Sequence, residues 1–323
     1  MKKILITGFS GFVSKFFINY LENNHIHTEI LGIDVSDNEI YNKDYKFIKI
    51  SFVKVNLFEA DGIEKLIFEF QPDYLLHLAS YSSVSFSWQN PVLSFQNNTN
   101  IFLNIIEAIR HQNLKTRILS IGSSEEYGNV SLEQIPLKEE YPVNPVNPYA
   151  VARVSQELIS KVYASGYNMN IIMTRSFNHI GPEQSQIFVV SSFAKQLCQI
   201  KLNGGKGTID TGDVTIIRDF LDVRDVVDAY YKLLIKGKVG EIYNVCGGKG
   251  ISLKEIIDMM TDILQIDVKI NINKNLIRPV DNRIIIGSNA KINSVIDWNQ
   301  NHSIYSSLKD MIDYWMVKLN DNL

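Results

Sequence analysis

Lys3-Ile4-Leu5-Ile6-Thr7-Gly8-Phe9-Ser10-Gly11-Phe12-Val13-Ser14 is the stretch whose reading decides the fold. Residues 3–7 form a short apolar run, long enough for one buried strand, and the amphipathic segment 15–23 predicts a helix. Between them Gly8 and Gly11 let the backbone turn sharply and approach a ligand closely. A strand, a glycine turn and a helix in this order set backbone N–H groups and a helix N-terminus against a pyrophosphate. Taken alone, the same loop also describes a tight turn before a core helix. Ser14 stands where a third glycine is usual and is small enough for close helix–strand packing. The second predicted strand, 29–33, ends in Asp34, 20 residues beyond Ser14. A carboxylate at that spacing accepts hydrogen bonds from an adenosine ribose and disfavours a 2′-phosphate. No basic residue adjoins Asp34, so NAD(H) is expected over NADP(H).

Working outward, the alternation repeats. Strands are predicted over 47–55, 74–78, 117–121 and 170–175, and helices over 58–70, 91–112 and 149–165. Repeated βα units with short apolar strands imply a parallel, doubly wound sheet with ligands at the strands' carboxyl ends. The loops following those ends carry His77-Leu78-Ala79-Ser80, Ser123-Ser124-Glu125-Glu126-Tyr127-Gly128 and Ser176-Phe177-Asn178-His179. Beyond Gly181 the elements shorten. A helix over 189–201 precedes the turn 203–207, which lacks the full phosphate-loop pattern and reads as a hairpin or surface turn beside a short strand pair. A helix over 223–235 and a strand over 241–245 are expected to return to the large sheet, and helices over 253–264 and 304–317 to build a smaller lobe.

Composition narrows the class. The 323 residues suffice for a large domain with a smaller lobe, and 45% hydrophobic with 21% charged residues is ordinary for a globular protein. A formal net charge of −3 gives no reason to expect a nucleic-acid or anionic-membrane partner. Cys198 and Cys246 are far apart and the six His residues show no ligand spacing, so neither a disulfide framework nor a metal site is expected. No stretch approaches 18 uninterrupted apolar residues, and the expectation is a cytoplasmic protein.

Asn147-Pro148-Tyr149-Ala150-Val151-Ala152-Arg153 opens the helix that carries chemistry. Pro148 suits a first helical turn, and Tyr149 and Arg153, four apart, share one face. A phenol beside a fixed cation gives up its proton more readily and becomes a candidate general acid or base. A surface Tyr–Arg pair is the plainer reading of the heptapeptide by itself.

With these residues in view, the chain resembles the extended short-chain dehydrogenase/reductases that act on nucleotide sugars. The resemblance runs in order through Thr7-Gly8-x-x-Gly11-Phe12, Asp34, His77-Leu78-Ala79, Asn98, Ser123-Ser124-x-x-Tyr127-Gly128, Tyr149-x-x-x-Arg153, Arg175-x-Phe177-Asn178, Arg218-Asp219-Phe220 and Arg278-Pro279. The run Phe177-Asn178-His179-Ile180-Gly181-Pro182-Glu183-Gln184-Ser185 is similar to that of the GDP-4-keto-6-deoxy-mannose reductases, whereas their GDP-mannose 4,6-dehydratase relatives share Asn178-His179 but usually continue differently from Ile180 onward, which argues against a dehydratase. The resemblance implies an α/β, Rossmann-type doubly wound parallel sheet with a smaller C-terminal substrate-binding lobe. Residues 1–180, with 222–245 returning, would hold NAD, and 181–221 with 246–323 would bind the nucleotide sugar.

Residue roles follow from the same resemblance. Tyr149, Ser123, Arg153 and Glu125 would be catalytic: Tyr149 exchanging the proton on the sugar C4 oxygen, Ser123 hydrogen-bonding that oxygen, and Glu125 serving as a base or a sugar contact. For Ser123 the bland alternative is a loop-capping hydroxyl; for Glu125 it is a solvated charge. The NAD site would use Gly8, Ser10, Gly11, Phe12, Asp34, Asn56, Leu57, Leu78, Ala79, Ser80, Asn98 and Ile121 together with Tyr149 and Arg153. The sugar nucleotide would meet Ser83, Ser124, Asn178, Val189, Lys195, Arg218 and Arg278. Two departures stand out: Arg153 replaces the family's lysine, and Asn56 replaces a common aspartate at the adenine. Arginine keeps the charge but cannot relay a proton. The implied activity is NAD(H)-dependent oxidoreduction at C4 of a GDP-linked, manno-configured sugar for surface polysaccharide, in a homodimer built on the helices 91–112 and 148–165. A 4,6-dehydratase or epimerase recycling its NAD, and a catalytically weakened nucleotide-sugar binding protein, are the alternatives.

Overall fold

The N-terminal apolar run forms strand β1 (Lys2–Thr7), whose side chains alternate between two layers: Ile4 and Ile6 join one buried cluster and Leu5 another. A computed structural model of the chain describes residues 1–37, 40, 43–277, 280 and 282–321. After β1 come α1 (Phe12–Asn23), β2 (Thr28–Asp34), β3 (Ile48–Lys54), α2 (Ala60–Phe70), β4 (Tyr74–His77), α3 (Val84–Gln89), α4 (Pro91–Phe95), α5 (Ile101–His111), β5 (Arg117–Ser123), α6 (Pro148–Gly166) and β6 (Asn170–Ser176). The second half adds β7 (Asn178–Ile180), α7 (Val189–Leu202), β8 (Lys206–Thr211), β9 (Ile217–Asp222), α8 (Val223–Lys236), β10 (Ile242–Val245), β11 (Gly250–Ser252), α9 (Leu253–Leu264), β12 (Asp267–Ile272), β13 (Ile284–Ile285), α10 (Ala290–Val295) and α11 (Ile304–Asn320).

Seven strands form one parallel sheet in the order β10-β6-β5-β4-β1-β2-β3. The chain builds outward from β1 through β2 to β3, then crosses back to β4, so the connections diverge where β1 meets β4. That divergence opens a crevice beyond the carboxyl ends of the two strands. One face of the sheet is covered by α1 and α8, through Phe17, Ile18, Leu21, Val226, Tyr230 and Leu233. The other is covered by α2 and α5, through Ile63, Ile67, Phe102, Ile105 and Ile109. A separate apolar cluster joins α7, α9 and α11 around Phe193, Leu197, Met260, Met311 and Trp315.

Three sequence expectations need correction. Helix α1 begins at Phe12, not Lys15, because the turn leading into it closes at Gly11. The helix expected over 91–112 is interrupted: α4 gives way to one wide π turn, Gln96–Asn100, before α5. The turn 203–207 is no hairpin, for it joins the end of α7 to β8, whose partner is the distant β12, in parallel. Gly204 and Gly205, at φ +100° and +78°, reverse the chain there.

A four-stranded sheet centred on β9 pairs with β7, β11 and β13. Asp219 of β9 is fully buried and accepts hydrogen bonds from the backbone N–H of Gly247 (2.8 Å), Gly248 (2.9 Å) and Gly287 (3.2 Å). Since Gly247 follows β10 and Gly287 follows β13, one carboxylate ties the small sheet to the edge of the large one. Burial pushes its pKa up to about 6, against the three amides that favour the ionised form. A proton held more tightly folded than unfolded makes this group's contribution to stability greatest below about pH 4, and smaller as pH rises through 6. Asp219→Ala should therefore lower the unfolding free energy by at least about 2 kcal/mol at pH 7. In urea titrations the deficit should widen, by up to about 3 kcal/mol, as the pH is lowered toward 4; a deficit that shrinks on acidification would contradict this account.

Candidate active site

The dinucleotide loop is built by close approach of two strand ends. Gly8 lies at φ +68°, and a Cβ there would stand 2.7 Å from the Ala79 nitrogen. Thr7 binds the β4 loop: its carbonyl accepts from Leu78 N–H (3.2 Å) and its Oγ1 accepts from Ala79 N–H (3.2 Å). The same hydroxyl lies 2.8 Å from His77 Nδ1. Burial and the nearby Arg153 charge push His77 down to about 3, so this imidazole is neutral at physiological pH. Asp34 closes the cradle by accepting from Ser10 N–H (2.9 Å) and Ser36 N–H (3.1 Å). Helix α1 starts at Gly11 without a side-chain cap, so the first-turn amides, Phe12 among them, face the loop uncovered. A bare helix N-terminus, a glycine that tolerates no Cβ and a carboxylate at the end of β2 fit the pyrophosphate and ribose of a dinucleotide.

The remaining expected cofactor residues surround this cradle. Asn56 and Leu57 follow β3; Asn56 accepts from Phe58 N–H (3.2 Å), and the Leu57 carbonyl accepts from Asn104 (3.1 Å). Asn98, at the π turn, is fully buried and binds the Tyr81 backbone in both directions, at 2.9 and 3.1 Å. Its side chain is thus committed to holding the 78–83 loop.

The candidate catalytic residues gather on β5 and α6. Asn147 caps α6 by accepting from Ala150 N–H (2.8 Å), and Pro148 occupies the first turn. Tyr149 is 6% exposed and Arg153 4%, so the pair is buried, not a surface ion pair. The Arg153 guanidinium donates from Nε to the Tyr149 hydroxyl (3.2 Å), from Nη1 to the Ile121 carbonyl (2.9 Å) and Gln156 Oε1 (2.6 Å), and from Nη2 to Ser80 Oγ. Ser123 ends β5, and its Oγ accepts from Glu125 N–H (3.2 Å). It therefore caps its loop, as the bland reading holds, while its own O–H is not used in that bond. Glu125 is half-buried, and Asn147 donates to its Oε2 (2.9 Å).

Sequence reading overlooked the layer beneath. Glu126, fully buried, accepts from Ser123 N–H at 2.6 Å. Arg175 donates to both oxygens of Glu157, at 2.8 and 3.0 Å, with its guanidinium 4.6 Å from the Tyr127 ring centre. Burial, then the Glu157 charge, hold Glu126 well above the usual carboxylate range; Glu157 is also desolvated, but Arg175 holds it low. Gln156, three residues after Arg153, was equally missed, although helical spacing puts it on the Tyr149 face.

Expected substrate residues are more dispersed. Ser124 is buried behind Ser123, whereas Ser83 caps α3 by accepting from Phe86 N–H (3.2 Å). Asn178 is exposed at the start of β7, and Val189 opens α7. Lys195 donates to Gln186 (2.6 Å), and buried Arg218 donates to the Ile217 carbonyl (2.9 Å). Arg278 lies outside the described residues. Among the described residues no His, Cys, Asp or Glu group has a metal-binding arrangement, and no helix is long and apolar enough to cross a membrane.

Residues 5–311 match the family model described as GDP-mannose 4,6 dehydratase. Over 320 residues the chain is 30% identical to GDP-6-deoxy-D-mannose reductase of Pseudomonas aeruginosa, an alignment covering 99% of each. The solved structure of RMD from Pseudomonas aeruginosa, complexed with NADPH, superimposes with a TM-score of 0.85 at 30% identity, covering 98% of this chain and 100% of that one. UDP-glucose 4-epimerase from Thermus thermophilus, complexed with NAD, gives 0.83 at 25% identity, with 97% and 98% covered. The chain therefore belongs to the GDP-mannose 4,6 dehydratase family, within the extended short-chain dehydrogenase/reductases.

Proposed function

We propose that the protein is a nicotinamide-dependent oxidoreductase acting at C4 of a GDP-linked, manno-configured sugar, reducing a 4-keto group in the direction its reductase relative is named for. The observation that carries this reading is a buried Tyr149 hydroxyl held at 3.2 Å by the Arg153 Nε–H, beside Ser123 at the carboxyl end of β5. A bound nicotinamide would supply the hydride. Tyr149 then delivers its proton to the C4 oxygen, and Ser123 donates a hydrogen bond to the same oxygen as charge develops there. Arg153 holds the phenol and a ribose hydroxyl without relaying protons. We assign the dinucleotide to residues 1–180 with 222–245, and the sugar nucleotide to 181–221 with 246–323. Asn178, Val189, Lys195 and Arg218 would meet the substrate, Arg218 through its diphosphate.

Relatives have been solved with NADPH and with NAD, and Asp34 supports NAD(H) here. Its carboxylate is braced by two amides and would face a 2′-phosphate with like charge. The second reading, 4,6-dehydration with recycled NAD, draws on Glu125, which Asn147 holds in place beside Ser123. We also propose a homodimer, because α4 and α6 lie together and leave Val92, Leu93, Leu158 and Val162 exposed. Buried, unpaired Cys198 and Cys246 suit a reducing cytoplasm.

Incubating the protein with a GDP-4-keto-6-deoxy-mannose substrate and NADH should give stoichiometric NADH loss. Sugar product formed from GDP-mannose without net cofactor change would instead establish the dehydratase reading. Tyr149→Phe should lower kcat by about 10²- to 10⁴-fold with NADH still bound, and Ser123→Ala by about 10²-fold. Steady-state kinetics should favour NADH over NADPH, and Asp34→Ala should reduce that preference at least about tenfold, or 1.4 kcal/mol; equal use of both cofactors by the wild type would refute the assignment. Light scattering should return twice the 36.9 kDa chain mass, falling toward the monomer in Leu158→Asp/Val162→Asp.

A further inference from the structure

We propose that Gln156 is a positioning residue of this site: it takes one N–H of Arg153 and so fixes the guanidinium plane with Nε–H on the Tyr149 oxygen. The proposal rests on the roles given to Tyr149 and Arg153 above. A lysine ammonium carries three donors on one rotatable centre, whereas guanidinium carries five in a rigid plane. Replacing the first by the second inside a buried site adds donors that need acceptors, since a buried N–H without one is destabilising. Arg153 is 4% exposed and, among the described residues, forms no salt bridge with a carboxylate. Its acceptors are all neutral: Tyr149, Ile121, Gln156 and Ser80. Four of the five donors are thereby used, and one N–H on Nη2 is left for a ribose hydroxyl.

Gln156 can serve this purpose because its own orientation is determined. It is 1% exposed, and its Nε2 donates to Ser120 Oγ (2.9 Å) and to the Ile121 carbonyl (3.2 Å). Turning the amide over would set its oxygen against the Ile121 carbonyl and its N–H groups against the guanidinium, so only one orientation satisfies both sides. Ser160 supports the arrangement, with Oγ 3.0 Å from Ser120 Oγ and 2.8 Å from the Gln156 carbonyl. The guanidinium is thus referenced to β5 through Gln156 as well as through Ile121. Without Gln156 one Nη1–H loses its acceptor, and the plane can tilt about its bonds to Ile121 and Ser80, which moves both the Nε–H at Tyr149 and the remaining Nη2–H.

The test is a double-mutant cycle between Gln156→Met, which keeps length and volume but lacks the amide, and Arg153→Lys, read by NADH binding fluorescence and by single-turnover hydride transfer. In the Arg153 protein, Gln156→Met should weaken NADH binding and slow hydride transfer, each about five- to tenfold. In the Arg153→Lys background the same change should cost no more than about twofold, because the donors Gln156 serves are gone. Gln156→Leu provides the same comparison should the methionine variant fold poorly. Equal losses in both backgrounds would mean that Gln156 only supports the fold, and no loss in either would mean that it does not act on Arg153; each result overturns the proposal. A wild type that binds only NADPH refutes the Asp34 assignment, and the cycle is then read with NADPH; one that binds neither overturns the proposal. Coupled NADH binding without turnover of any GDP-4-keto sugar would sink the proposed reaction and leave Gln156 in place.

Discussion

A guanidinium buried without a carboxylate is the constraint on which the centre of this protein depends. Taking such a charge out of water is unfavourable unless every donor finds an acceptor and the surroundings are held in place. Arg153 satisfies four of its five donors by drawing on three elements: the β4 loop through Ser80, β5 through Ile121, and its own helix through Tyr149 and Gln156. Each contact brings a segment with a separate role to the crevice. The phenol, the loop that would lie over a nicotinamide ribose and the end of the strand carrying Ser123 are located relative to one another by a single planar group.

The second buried cation is handled differently. Arg175 faces Glu157 at both oxygens and lies near Glu126, so its charge is compensated by carboxylates. Burial and the neighbouring Glu157 charge hold the Glu126 carboxyl well above the usual carboxylate range. Glu126 accepts the Ser123 N–H, which links this cluster to the loop that follows β5. The candidate site therefore rests on an ionic layer compensated by carboxylates, while the Arg153 guanidinium has only neutral acceptors.

Topology supplies the space between them. Because the strand order reverses between β1 and β4, the loops after those strands part, and Thr7 and His77 join their bases just below the opening. Gly8 then passes so close to Ala79 that no side chain fits. On the far side of the crevice, Asp219 fixes the small sheet to the edge of the large one through three glycine amides. Arg218 comes from the same strand, so the clasp also determines where that guanidinium stands.

Much of this was legible in the sequence because it depends on local periodicity. A short apolar run marked β1 as a buried strand, helical spacing placed Tyr149 and Arg153 together, and the glycine loop with Asp34 marked the first βα unit. What was not legible depends on partners far along the chain. The turn 203–207 could not reveal that β8 would pair with β12, some sixty residues on, nor could Asn98 reveal that its amide would be taken up by Tyr81. Ser123 was recognised both as a candidate and as a possible loop cap, but the Glu126 carboxylate that takes its N–H appears only once the loop is folded. The sequence by itself determined the order of βα units, the binding loop and the residue types at the crevice, since periodicity and short-range spacing are properties of neighbouring residues. Only the tertiary structure decided which acceptors surround Arg153, what raises the Glu126 carboxyl and how Asp219 closes the small sheet, because burial and hydrogen-bond pairing are settled by segments that meet only in the folded chain.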